Sequence, residues 1–138
     1  MQALVIIAHG SRRQASNWEV ANLALGLKKS AGKHYQIVEA GFLEIAKPSI
    51  PEAIESCIES CIESGATSVI VVPYFLAAGR HVAEDIPQIV RPVGERHPHV
   101  SIRISEHIGM SNSMPRLILD SASSHARPVI DPNLEKAG

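Results

Sequence analysis

The run Val69-Ile70-Val71-Val72-Pro73 contains no polar side chain. Side chains of a strand alternate between its two faces, so a strand with nothing to offer water must be covered on both. Sheets covered on both faces are characteristically parallel, and each parallel neighbour needs a crossover, usually a helix. Ala3-Leu4-Val5-Ile6-Ile7-Ala8 is a second such run and ends abruptly at His9-Gly10-Ser11. Residues 35–42, Tyr35 to Phe42, are expected to form a further strand leading through Leu43-Glu44 into a polar turn, and Val100-Ser101-Ile102-Arg103-Ile104 alternates like a fourth.

Helical spacing fills the intervals. Val20, Leu23, Ala24 and Leu27 make one stripe between about Gln14 and Lys29, with Gly26 lowering local propensity. Ser49 and Glu52 have capping-box spacing, and Pro51 sits early enough that its missing N–H costs little. Behind them Ala53, Ile54, Cys57, Ile58, Cys61 and Ile62 form an apolar face. Glu55, Glu59 and Glu63 form another, expected to be wet, and Gly65 is the expected C-cap. Arg80 and His81 open a helical segment that Pro87 and Pro92 are expected to limit or bend, and a last helix is expected around Ser113 to Ser123. Strands alternating with crossover helices predict an α/β fold: a doubly wound, mainly parallel four-stranded sheet with helices on both faces. A single domain over residues 1–126 is expected, with a polar tail over 127–138 that holds Pro128 and Pro132.

Composition narrows the function classes. With 13 Lys and Arg against 14 Asp and Glu, the formal charge of −1 supplies no basic footprint for nucleic acid. No stretch approaches the roughly 20 apolar residues of a membrane span, and the first residues lack the basic segment and cleavage pattern of a signal peptide. A cytoplasmic location is the expectation. Cys57 and Cys61 lie four apart in a helical pattern, which suits buried, reduced thiols rather than a disulfide scaffold. Neither a G-x-G-x-x-G pattern nor a G-x-x-x-x-G-K-[ST] loop occurs, so a nucleotide or flavin domain is disfavoured.

In doubly wound sheets ligands bind outside the carboxyl ends of the strands, near a switch in strand order. His9, Glu44 and His81 follow three different strands on that edge. Two neutral imidazoles and a carboxylate suit a divalent transition metal and leave coordination positions open. The alternatives are a backbone-capping His9, a surface His81 and a solvated Glu44. His34, His97, His99, His107 and His125 are placed less coherently and read as ordinary surface residues. Trp18, a lone aromatic on an amphipathic helix, reads as packing.

Three ordered segments carry a resemblance. They are His9-Gly10-Ser11-Arg12, then Phe42-Leu43-Glu44 with Pro48-Ser49 and Glu52-Ala53-Ile54, then Val72-Pro73-Tyr74-Phe75-Leu76 with Gly79-Arg80-His81 and Asp85-Ile86-Pro87. Together they span roughly the first hundred residues, and the chain resembles the class II chelatase family, in the small single-domain form of the sirohydrochlorin chelatases. The resemblance implies insertion of cobalt, with iron or nickel as alternatives, into a carboxylate-rich tetrapyrrole, and no other cofactor. It carries metal binding onto His9 and His81, with Glu44 as third ligand or proton-handling carboxylate. Ser11, Arg12, Arg80, Tyr74 and Phe75 become candidate contacts for sirohydrochlorin. Arg13 could also guide its carboxylates, Phe75 and Leu76 could simply close the core, and Glu84 reads more simply as an exposed helical acid. Because many relatives carry two homologous lobes, the resemblance implies a homodimer here. A noncatalytic divalent-metal carrier remains the competing class, since holding and releasing a metal needs many of the same ligands.

Overall fold

A computed structural model describes residues 2–64 and 67–130, with 61–64 and 81 described as backbone alone. The chain alternates as the apolar runs predict: β1 (Gln2–Ala8), α1 (Gln14–Ala31), β2 (Ile37–Phe42), α2 (Ile50–Ser64), β3 (Ser68–Pro73), α3 (Arg80–Arg96), β4 (Ser101–Ile104), a short 3-10 turn (Ile108–Met110) and α4 (Met114–Ser124). The strands form one parallel sheet in the order β2-β1-β3-β4. The chain steps to one side of β1 for β2 and to the other for β3. The gap between β1 and β3 is therefore the switch point where a crevice opens above the sheet.

Alternation along β1 divides the core. Ala3, Val5 and Ile7 join Val69 and Val71 under α2 and α3, where Ile54, Ile58, Val90 and Val93 are buried. Ile6 and Ala8 face the other way, against Val20 and Ala24 of α1. Helices thus cover both faces, which is why β1 is apolar throughout after Gln2. The capping box forms as its spacing predicts: the Ser49 N–H donates to Glu52 Oε1 at 3.1 Å and the Glu52 N–H to Ser49 Oγ at 3.2 Å. The Ser49 N–H holds the Glu52 carboxyl below its ordinary pKa. Among the described residues no helix is long and apolar enough to cross a membrane.

Tertiary packing overrides several local expectations. α3 runs unbroken from Arg80 to Arg96 with Pro87 and Pro92 inside it. Each proline forgoes one i to i−4 bond, but Ile86, Val90 and Val93 recur at helical spacing and are buried against the sheet, which holds the helix in register. Glu55 is not a wet residue: it pairs with Arg96 at 2.8 Å and with His97 at 2.7 Å, where α2 meets the end of α3. That contact also takes His97 out of the surface class. Trp18 is 62% exposed rather than packed. Cys57 is buried, whereas the side chains of Cys61 and Glu63, the Gly65 cap and residues 131–138 of the polar tail lie outside the described set.

Candidate functional site at the switch point

The parallel ladder does not stop where the strands do. The Leu43 N–H donates to the Ala8 carbonyl at 2.8 Å and the Glu44 N–H to the His9 carbonyl at 3.0 Å. His9 and Glu44, 35 positions apart in the numbering, are in this way set side by side by backbone hydrogen bonds. Gly10 makes the approach possible: its φ of +90° lies in the left-handed region, and a Cβ there would run into the Glu44 carbonyl. Beyond Glu44 the chain reverses in three residues, the Ala46 N–H donating to the Glu44 carbonyl at 2.7 Å. The residue between them, Ile45, has φ of +69°. A β-branched residue in that region costs roughly 1–2 kcal/mol, so the rest of the fold holds the Glu44 turn in place.

Asn17 fixes the other side of the His9 loop. Its side chain is buried, with Oδ1 accepting from the Ser11 N–H at 2.9 Å and Nδ2 donating to the Ser11 carbonyl at 2.7 Å. A buried amide without partners would cost about 1–3 kcal/mol, and here both ends are satisfied by one backbone residue. Sequence reasoning passed over Asn17. The signal was its position three residues before Val20 and seven before Ala24, on the buried stripe of α1, where a polar side chain needs a partner.

The Tyr74 N–H donates to the Ile7 carbonyl at 2.7 Å, which brings the loop after β3 over the end of β1. Phe75 is buried in the core beneath it, and its ring meets the His9 imidazole edge to face, with centroids 5.1 Å apart. The resulting crevice, about 230 Å³, is lined by His9, Ser11, Asn17, Tyr74 and Phe75 among others. Phe75 thus closes the core and walls the crevice at once.

The remaining candidates sit around this crevice rather than in it. Glu44 is exposed on the adjoining loop, and Arg12 and Arg13 are exposed beyond Ser11. The backbone places His81 in the first turn of α3, directly after Arg80. Arg80 itself is exposed and pairs with Glu84 one turn on at 3.1 Å, which gives Glu84 a partner. Among the described residues no three His, Cys, Asp or Glu side chains converge as a metal cluster, and the His81 side chain is outside that set. The crevice therefore offers one described imidazole, an apolar wall and open solvent, with a carboxylate and a helix-borne histidine on neighbouring strand ends.

One further histidine lies beyond a strand end. His107, read from sequence as a surface residue, comes three residues after β4, where His9 directly follows β1, and is half-buried. The short, alternating β4 obscured that correspondence, although the strand end was there to be read.

The model of the CbiX family matches residues 3–125 of this chain. The chloroplastic sirohydrochlorin ferrochelatase of Arabidopsis thaliana is 33% identical over 117 residues, covering 85% of this chain and 49% of that protein. The sirohydrochlorin cobaltochelatase of Sulfolobus acidocaldarius is 33% identical over 122 residues, covering 88% of this chain and 90% of that protein. The sirohydrochlorin chelatase SirB from Bacillus subtilis subspecies spizizenii, solved in complex with cobalt, has a TM-score of 0.71 at 27% identity, over 98% of this chain and 57% of that one. The chain spans about half the length of several curated relatives that it matches.

Proposed function

We propose that this chain, which belongs to the CbiX family, inserts a divalent metal into sirohydrochlorin, with cobalt as the metal and iron and nickel as the alternatives. The observation that carries the reading is the continuation of the β1–β2 ladder into His9 and Glu44 beside the switch-point crevice. The carboxyl ends of three strands then supply an imidazole, a carboxylate and, through α3, a second imidazole. Cobalt is favoured because the relative matched over nine tenths of its length is named for cobalt.

The chemistry suits these residue types. Neutral imidazoles hold a divalent ion without the grip of thiolates, so the ion can pass to four macrocycle nitrogens. His9 and His81 are assigned as metal ligands and Glu44 as third ligand or proton acceptor. The edge contact with Phe75 limits the tilt of the His9 ring. Ser11, Tyr74 and Phe75 face the macrocycle, and the exposed Arg12 attracts its peripheral carboxylates. Arg80 joins them after giving up its exposed pair with Glu84, which costs only a few tenths of a kcal/mol. A second copy of the chain supplies the opposite wall.

Anaerobic insertion assays with buffered cobalt, iron and nickel test the reading. Insertion should proceed with wild type, fastest with cobalt, and fall by at least about tenfold in His9→Ala and His81→Ala with unchanged circular dichroism. Cobalt binding without insertion of any of the three metals would assign a carrier instead. Sedimentation at assay concentration should show twice the chain mass; a fully active monomer would remove the dimer.

A further inference from the structure

The end of β4 carries two ionisable side chains, Glu106 and His107, in a setting unlike the crevice at His9. Two clefts, of about 320 and 610 Å³, share Ser105, Glu106, His107 and Met110 as a common wall. The smaller lies against Ala83, Ile86 and Pro87 of α3 and the larger reaches Met114 and Leu117 of α4. Among the described residues lining either cleft, Glu106 and His107 alone can ionise. His107 is half-buried and Glu106 exposed, so the imidazole lines apolar clefts beside an exposed carboxylate.

This wall is fastened to the site already described. The Ser105 N–H donates to the Val71 carbonyl at 2.9 Å, and the Gly109 N–H to the carbonyl of Phe75 at 3.0 Å. A side chain at Gly109 would run into the Leu76 carbonyl, so the backbone approach there requires glycine. The residue whose ring touches His9 thereby also holds the segment bearing His107. Ala83, on the opposite wall of the smaller cleft, lies two positions after His81 in the same helix.

Inserting a divalent ion displaces two pyrrole protons. A histidine holding the metal has committed its lone pair and cannot take a proton until the ion has left, so His9 and His81 are poor acceptors at the moment of exchange. We propose that His107 is a catalytic proton acceptor in this insertion, an inference that rests on the chelatase reading above. The pyrrole N–H bond breaks, its electron pair becomes the nitrogen–metal bond, and the proton forms an N–H bond on the neutral imidazole of His107. The imidazolium then releases that proton to water. The second pyrrole proton leaves to Glu44, or to water where Glu44 serves as the third ligand. The two clefts otherwise contribute Ala83, Ile86, Pro87, Met114 and Leu117, so Glu106 is the ionisable neighbour of His107 among their described lining residues.

The test compares wild type, His107→Gln and His99→Gln, the last an exposed histidine between α3 and β4, just before the amino end of the strand that His107 follows. Each is assayed for cobalt insertion into sirohydrochlorin from pH 5 to 8, where imidazole titrates, and separately for cobalt affinity. His107→Gln should lose about 10²-fold in kcat, lose the limb of the kcat profile that rises with pH, and keep its cobalt Kd and circular dichroism. Added imidazole should restore part of the rate, and His99→Gln should match wild type. A wild-type kcat and pH profile in His107→Gln overturns the proposal while leaving the chelatase reading intact. So does a loss of kcat matched by an equal loss of cobalt affinity. Failure of wild type to insert any metal removes the chelatase reading, and the acceptor role with it, before a variant is compared.

Discussion

The His9 imidazole stands edge-on to the Phe75 ring, with centroids 5.1 Å apart and planes at 82°. Phe75 is 9% exposed and belongs to the main core cluster, so the ring that orients His9 is itself held by the packing under α2 and α3. Aromatic edge contacts of this geometry contribute about 0.5–1.5 kcal/mol beyond burial. Phe75→Leu keeps an apolar side chain there but removes the edge. We expect it to lower stability by about 1–2 kcal/mol and weaken cobalt binding several-fold, read by urea midpoint and by calorimetric titration. Unchanged cobalt affinity would show that the imidazole needs no such wall.

Asn17 joins the buried stripe of α1 to the loop that carries His9. Asn17→Asp keeps the acceptor for the Ser11 N–H but sets a carboxylate against the Ser11 carbonyl, whereas Asn17→Ala leaves both backbone groups unpaired. Both should cost about 1–3 kcal/mol. Both should also raise the exchange rate of the Ser11 amide and weaken cobalt binding. Hydrogen exchange at Ser11 is the direct measurement, and a protected Ser11 amide in Asn17→Ala would refute the clamp.

Glu55 links α2 to the end of α3 through Arg96 and His97. The Arg96 guanidinium, then the His97 contact, hold its carboxyl below the ordinary value near 4.5, against the opposing effect of burial. A carboxyl depressed on folding stabilises the protein above its unfolded pKa and loses that contribution as pH falls through its folded pKa. Glu55→Gln should therefore be less stable than wild type near pH 7 by no more than about 1 kcal/mol, since the Arg96 side of the pair is half exposed. The gap should close as pH drops below 4.5 and through the lowered folded pKa. Urea midpoints across that range measure it, and a constant gap would mean that ionisation of Glu55 is not what holds the helices together.

Arg12 is exposed one residue beyond the crevice-lining Ser11 and makes no ion pair among the described residues, whereas Arg80 is paired with Glu84. If it attracts the macrocycle carboxylates, Arg12→Gln should raise the KM for sirohydrochlorin several-fold while leaving cobalt affinity alone. Added salt should narrow the difference, because an exposed charge is screened. Weaker cobalt affinity with unchanged sirohydrochlorin affinity would reverse that assignment.

The apolar runs of β1 and β3, the stripe of α1 and the capping box at Ser49 and Glu52 are local patterns. Their periods are set by backbone geometry, so the chain declares them without reference to its fold. From them follow the parallel sheet and the strand-end positions of His9 and Glu44. What local pattern could not supply is which residues meet across long separations. Pro87 and Pro92 argue for a broken helix, and only burial of Ile86, Val90 and Val93 keeps α3 whole. Glu55 belongs by spacing to a wet acidic face, and only the approach of the end of α3, 41 residues away, gives it Arg96. The Asn17 clamp and the place of His107 between two clefts arise in the same way, from backbones that become neighbours on folding. Periodicity records the face a residue turns inward, but the partner it finds there depends on the packing of the whole sheet and its helices.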